Sequence, residues 1–167
     1  IGPCVKNPGK FVAIGLNYSD HAEETGNPIP TEPIVFMKAT SCINGPNDDI
    51  EIKPNSKKLD WEVELGIIIG KECKDIKESE SDSHIFGYCL VNDISEREWQ
   101  IEKLGQWVKG KSHDTYGPIG PYIVTKDEIK DINNLNLFLD VNEKRMQTGN
   151  TNTMIFNVYE IVSYLSK

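Results

Sequence analysis

The stretch Asp60-Trp61-Glu62-Val63-Glu64-Leu65-Gly66-Ile67-Ile68-Ile69-Gly70 carries the strongest structural signal in the chain. Its apolar run, Leu65 to Ile69, has the length of a buried strand and falls far short of the ~18 residues a membrane helix needs. In a strand, residues i and i+2 point to the same face. Glu62 and Glu64 then share one face, and Trp61, Val63 and Leu65 take the other, which suits a core. Two carboxylates side by side on an otherwise apolar strand repel each other unless something positive lies between them. A strand end facing solvent is the plain alternative.

Working outward, Phe11 to Gly15, Ile34 to Met37 after Pro33, Gly87 to Val91, Ile119 to Val124 and Leu135 to Val141 read as further strands. Asp49-Ile50-Glu51-Ile52 alternates as a half-buried strand does. Ser19 to Thr25 reads as a short helix stopped by Gly26 and Pro28. Ser95-Glu96-Arg97-Glu98 has the spacing of a capping box, so a helix is expected from Ser95 to about Gly105. Asn157-Val158-Tyr159-Glu160 caps a last helix carrying Ile161, Val162, Tyr164 and Leu165. Glu78 to Ser83 is a polar loop or helix start. Many short strands with a few short helices predict a strand-rich α+β fold, not alternating βαβ units.

With 167 residues the chain is about one domain at roughly 150 residues per domain. Hydrophobic residues at 38% and charged residues at 26% give a soluble globular balance and argue against disorder. Eighteen Lys and Arg against 26 Asp and Glu leave a net charge of −8, the wrong sign for a nucleic-acid binder or a membrane-surface protein. Cys4, Cys42, Cys73 and Cys89 show no C-x-x-C spacing. They read as reduced thiols, and the expected location is the cytoplasm. Ile1-Gly2-Pro3-Cys4 lacks the features of a signal peptide, and the end stops inside an apolar pattern; the expectation is a fragment of a longer protein.

Four constellations could carry chemistry. Glu62 and Glu64, joined by Asp93 where the apolar strand Tyr88 to Val91 exits, would make an all-oxygen site suited to Mg²⁺ or Mn²⁺, with Ca²⁺ also possible. Asp93 reads equally as a helix-entry residue. His21 and Glu24 share a helix face at i and i+3, and a carboxylate beside an imidazole suits a general base. Glu23 is as near in sequence, and an exposed helix histidine with no role is the plain alternative. Gly105-Gln106-Trp107-Val108-Lys109-Gly110-Lys111-Ser112 fits the phosphate-loop pattern G-x-x-x-x-G-K-[ST]. That loop needs a strand before it and a helix after it. Here a helix is expected before it, and the Pro118- and Pro121-containing stretch after it cannot be helical. Lys111 remains a cation in a Gly-rich segment.

These segments together resemble the fumarylacetoacetate hydrolase family nearly end to end. The marks are Gly15-Leu16-Asn17-Tyr18-Ser19-Asp20-His21-Ala22-Glu23-Glu24-Thr25-Gly26, Pro33-Ile34-Val35-Phe36-Met37-Lys38, Asp60-Trp61-Glu62-Val63-Glu64-Leu65-Gly66, Val91-Asn92-Asp93-Ile94-Ser95-Glu96-Arg97 and Gly110-Lys111-Ser112-His113-Asp114-Thr115-Tyr116-Gly117-Pro118. Each is weak alone, and the five in this order are specific. Residues 105–112 and 124–128 carry a narrower likeness to the ureidoglycolate lyase and 2,4-diketo-3-deoxy-L-fuconate (or rhamnonate) hydrolase branch.

The resemblance implies a mixed β-roll/β-sandwich with short helices. It implies that residues 1–167 are a catalytic domain lacking an amino-terminal segment and the carboxy-terminal T-G-T-P-x-G loop. It matches Glu62, Glu64 and Asp93 to metal ligands, His21 and Glu24 to a base dyad, and Lys111 to an active-site lysine. Arg97 and Gln100 match substrate-contacting positions, four and seven residues after Asp93 on one expected helix face; Lys38 and Tyr18 are further expected contacts. The implied activity is metal-dependent C–C cleavage of a 2,4-diketo acid to pyruvate and a carboxylic acid, within sugar-acid catabolism, by a homodimer. Ureidoglycolate lyase, a related isomerase or decarboxylase of 2-oxo acids, and a non-catalytic metal-binding module are the alternatives.

Overall fold

Ten strands and three helices follow one another in the computed structural model, which describes all 167 residues. The strands are β1 (Val12–Gly15), β2 (Ile34–Met37), β3 (Ile43–Asn44), β4 (Leu59–Asp60), β5 (Val63–Ile69), β6 (Ile85–Asn92), β7 (Ser95–Glu96), β8 (Gly117–Thr125), β9 (Asn136–Val141) and β10 (Lys144–Asn150). The helices are α1 (Ser19–Thr25), α2 (Trp107–Lys111) and α3 (Val158–Leu165). The fold is α+β and strand-rich, as the apolar runs predict. No helix is long and apolar enough to cross a membrane.

The quoted stretch forms β5, at one edge of a four-stranded sheet in the order β3-β8-β6-β5. β6 alternates between buried and exposed side chains for much of its length. Gly66 is required by packing: a Cβ there would stand 2.8 Å from the Val91 side chain and 2.9 Å from Cys89 Sγ. β3 pairs with β8 in parallel, Ile43 opposite Gly117. β4 and β7 form a separate two-stranded ribbon, Leu59 opposite Glu96 and Asp60 opposite Ser95. β9 and β10 make a hairpin whose two turn residues, Asn142 and Glu143, have φ of 50° and 64°. Positive φ at both turn positions matches the twist of a two-residue hairpin.

The chain divides into two units, Ile1–Ala13, Phe36–Gly66 and Cys89–Ile123 in one, and Ile14–Val35, Ile67–Tyr88 and Val124–Lys167 in the other. The first is built around buried Cys42, Val63, Val91, Ile94, Tyr116 and Ile119. The second is built around buried Ala22, Ile85, Tyr88, Leu137, Val158 and Ile161.

Local signals set several boundaries. α1 ends at Gly26, whose φ of 66° suits a residue without a side chain. Asn157 caps α3 by accepting from the Tyr159 and Glu160 amides at 2.8 and 3.1 Å, while the Glu160 carboxylate accepts from the Asn157 amide at 2.8 Å.

Three expectations are corrected. Ser95-Glu96-Arg97-Glu98 is no capping box: Ser95 Oγ donates to the Asp93 carbonyl at 2.9 Å, residues 95–96 pair as β7, and a π-turn follows over Glu98–Glu102. Pairing with β4 outcompetes the local helix signal. Residues 49–52 form no strand; the Glu51 amide bonds Thr115 Oγ1 at 2.8 Å and the Asp49 carbonyl accepts from Asn44 Nδ2 at 3.0 Å. β10 went unforeseen because Lys144-Arg145-Met146-Gln147 is mostly exposed and carries no apolar run.

Candidate functional site

Where β5 begins and β6 ends, the backbone brings two acids side by side. The Asp93 amide donates to the Glu62 carbonyl at 2.8 Å, and the Glu62 amide donates to Asn92 Oδ1 at 3.2 Å. Glu62, Glu64 and Asp93 therefore lie in one unit and feel one another electrostatically. Burial, then repulsion from Glu62 and Asp93, pushes the Glu64 carboxyl up to about 8, and Lys111 only partly offsets this. A carboxyl that holds its proton near neutrality marks a desolvated place, here with two further acids beside it.

Two lysines grip Asp93. Lys111 Nζ donates to Asp93 Oδ2 at 2.8 Å and to Glu62 Oε2 at 2.6 Å. Lys38 Nζ donates to Asp93 Oδ1 at 2.6 Å, to the Ile94 carbonyl at 3.2 Å and to the Lys111 carbonyl. Burial alone would raise the pKa of Asp93, but the two ammonium groups outweigh it and hold the carboxylate below its ordinary range. Burial lowers the pKa of Lys38, and its contact with Asp93 opposes that shift. An ammonium has three donors. All three of Lys38's are engaged inside the protein.

Arg97 forms the rim of this cluster. Its Nη2 lies 2.5 Å from Glu62 Oε1 and 2.8 Å from Asp60 Oδ2, its Nε 2.9 Å from Asp60 Oδ2, and its Nη1 2.8 Å from Gln100 Oε1. Arg97 and Gln100 are thus brought together, though the strand pair at 95–96 interrupts the helix face once expected to link them to Asp93. Gln100 is buried.

The phosphate-loop pattern is not a loop. Residues 107–111 are helical, and the Gly110 amide donates to the Gln106 carbonyl at 3.1 Å. Gly110 is needed for contact, because a Cβ there would stand 2.5 to 2.7 Å from Gln100. That approach sets Lys111 beside the Arg97–Gln100 turn. Trp107 meets Phe36 edge-on at 5.3 Å between centroids, and Lys111 Nζ lies 5.2 Å from the Phe36 ring.

His21 and Glu24 belong to the other unit. His21 Nδ1 is 3.9 Å from Glu24 Oε2, with side chains 55% and 82% exposed. Their helix is fixed at its start: Asn17 Nδ2 donates to the Phe156 carbonyl at 3.0 Å, and Asn17 Oδ1 accepts from the Phe156 amide at 3.0 Å. Tyr18, half-buried, pairs with Met154 across a bridge.

Sequence reading passed over Asp60 and Glu96. Asp60 had a signal, since it alternates with Glu62 and Glu64 at i, i+2 and i+4. Glu96 had none, because most of its carboxylate contacts are with residues some 40 positions away.

Three neighbouring carboxylates, Glu62, Glu64 and Asp93, fit a hard divalent cation in kind, since a doubly charged ion would offset their mutual repulsion. As placed, Glu62 and Asp93 close on the Lys111 ammonium, and no three His, Cys, Asp or Glu side chains stand as a ready ligand set.

A family model described as fumarylacetoacetate (FAA) hydrolase C-terminal matches residues 10–167. A provisionally named hydrolase of Burkholderia cenocepacia (strain HI2424) is 58% identical over 166 residues, which are 99% of this chain and 59% of that protein. The chain thus spans about three fifths of the length of the curated relatives it matches. Among solved structures, 5-carboxymethyl-2-hydroxymuconate delta-isomerase from Mycobacterium smegmatis superposes with a TM-score of 0.84 at 37% identity, covering 94% of this chain and 61% of that one. A fumarylacetoacetate hydrolase from psychrophilic Exiguobacterium antarcticum superposes with a TM-score of 0.86 at 36% identity, covering 96% and 57%.

Proposed function

Since the chain belongs to the fumarylacetoacetate (FAA) hydrolase family, we propose that it serves in an enzyme that cleaves a C–C bond of a 2,4-diketo acid, giving pyruvate and a carboxylic acid. The observation that supports this reading is the juxtaposition of Glu62 and Asp93, whose carboxylates share the Lys111 ammonium at 2.6 and 2.8 Å, beside Glu64, whose carboxyl is pushed up to about 8 by burial and then by their repulsion. Glu62, Glu64 and Asp93 would hold Mg²⁺ or Mn²⁺, and a bound ion would supply Lewis-acid polarisation of adjacent carboxylate and keto oxygens.

The remaining work falls to the chain's own groups. Arg97, already aimed by Asp60 and Gln100, offers its guanidinium to the substrate carboxylate. His21 takes the proton of the attacking water on its imidazole, with Glu24 beside it on the same helix face. Lys111 has an ammonium that can turn from Glu62 toward an oxyanion developing at C4. The proton on His21 then passes to the departing three-carbon fragment, which leaves as pyruvate. A homodimer belongs to the same reading.

Isomerisation is the second reading, and the match to a named isomerase at 37% identity favours it. The substrates differ in outcome, not in recognition: both carry a 2-oxo acid or its enol. The test incubates the protein with Mg²⁺ or Mn²⁺ and an acylpyruvate. Release of pyruvate, followed with lactate dehydrogenase and NADH, supports cleavage. A change in ultraviolet absorbance of an unsaturated 2-hydroxy diacid without fragments supports isomerisation. Neither signal with any 2-oxo acid, in the presence of bound metal, would overturn the enzymatic reading.

A further inference from the structure

Glu96 is 1% exposed, yet no Lys or Arg stands within ion-pair distance of it. Its carboxylate is instead held by main-chain donors and one hydroxyl. Oε2 accepts from Ser56 Oγ and from the Lys57 amide at 3.2 Å. The Lys58 amide reaches Oε1 at 3.1 Å and Oε2 at 3.3 Å, and the Glu98 amide reaches Oε1 at 3.2 Å. A buried charge without a counter-ion is costly unless such donors surround it. The residue next to it is Arg97.

The turn that Glu96 gathers leads straight to both anchors of Arg97. The Arg97 amide donates to the Lys58 carbonyl at 2.9 Å. Two residues on, Asp60 takes the Arg97 Nε and Nη2. Leu59 and Asp60 also pair with Glu96 and Ser95 through the backbone. Backbone and guanidinium of Arg97 are therefore both referred to the segment Ser56 to Asp60, and Glu96 fixes that segment.

We propose that Glu96 is the positioning residue of Arg97: by collecting the donors of the Ser56–Lys58 turn it sets Asp60, and so aims the guanidinium at Glu62, Gln100 and the substrate carboxylate. The last clause rests on the functional reading above; the placement of Arg97 does not. The chemistry demands a carboxylate. Glutamine has nearly the same volume, but half of its head group donates, and a donor facing three amides and a hydroxyl cannot replace an acceptor.

The test uses Glu96→Gln, Glu96→Asp and, as a milder lesion that keeps the buried charge, Ser56→Ala. Three readouts are taken: the protection of the Arg97 Nε proton against exchange by NMR, the affinity for oxalate in the presence of Mg²⁺, and kcat and KM for the acylpyruvate. For Glu96→Gln the Nε proton should lose its protection. Oxalate Kd and KM should rise about tenfold, the size of a lost hydrogen bond to a charged group, while kcat changes less than about threefold. Glu96→Asp should restore part of the loss, and Ser56→Ala should move the same readouts less. A Glu96→Gln protein with a lower melting temperature but unchanged Nε protection and oxalate affinity would overturn the proposal, as would Ser56→Ala lowering kcat at constant KM. If no 2-oxo acid is turned over, the functional reading fails alone, and the Nε proton still decides the role of Glu96.

Discussion

Asp93 and His21 sit in opposite surroundings. Asp93, with a 7% exposed side chain, is gripped by two lysines that are themselves almost fully buried. His21, 55% exposed, has one carboxylate at 3.9 Å. In the first region every ion is the condition for burying another, so function and folding are tied together. In the second, removing the ring leaves nothing stranded, so chemistry can be lost without loss of fold. The lesson is that a site residue's effect on stability is read from what its removal would orphan, not from its role.

That contrast can be broken by experiment. The largest effect is expected from Lys38→Met. It leaves Asp93 short of a partner in a buried place, and losing one member of a buried pair costs about 3–5 kcal/mol. Urea unfolding should show it. A loss under about 1 kcal/mol would show that the lysine grip is dispensable and erase the difference between the two regions.

Next in size is His21→Ala, which should lower turnover by about 10²–10⁴-fold if the ring is a general base. The same variant should unfold within about 0.5 kcal/mol of the parent, as exposed substitutions do. Near-parental turnover would remove His21 from the chemistry. Gly110→Ala should cost about 1–3 kcal/mol, because the new methyl meets the Gln100 backbone and not a movable side-chain end. A neutral result would mean that α2 can shift away without disturbing Lys111.

The last effect is a slope. The folded chain keeps a proton on Glu64 up to about 8, whereas the unfolded chain releases it near 4.5. Between those values the folded state binds more protons, so Glu64 lowers stability progressively as pH rises through that window. Asp93 works in the other direction: its depressed pKa adds stability above its unfolded value near 4, which is lost as pH falls. Melting temperatures at pH 5 and pH 8.5 should therefore diverge less for Glu64→Gln than for the parent. Divalent metal should release protons at pH 7, measurable by calorimetry in buffers of different ionisation heat. Equal slopes in parent and variant would mean that Glu64 is not crowded.

Much of this architecture is written locally. Leu65 to Ile69 had to be a strand because a five-residue run of Leu, Gly and three Ile that stops at Gly70 has few other uses, and α3 begins at Asn157 because its side chain supplies acceptors the helix lacks. The paired carboxylates at 62 and 64 and the acid at 93 stand out in the sequence for the same reason: charge at the ends of apolar strands is unusual. The helix expected at Ser95 failed because a capping pattern describes only four residues, and the competing partner, Leu59–Asp60, lies 35 positions away.

By itself, then, the sequence determined the strand-rich α+β class, most strand positions and the identity of the acids, since these follow from side-chain periodicity and from chemistry carried by single residues. Tertiary structure alone decided that Lys38 spends its donors inside the protein, that Lys111 bridges Glu62 and Asp93, and that Glu96 gathers a distant turn. Electrostatic and hydrogen-bond energies depend on distance and burial in space, and separation along the chain encodes neither.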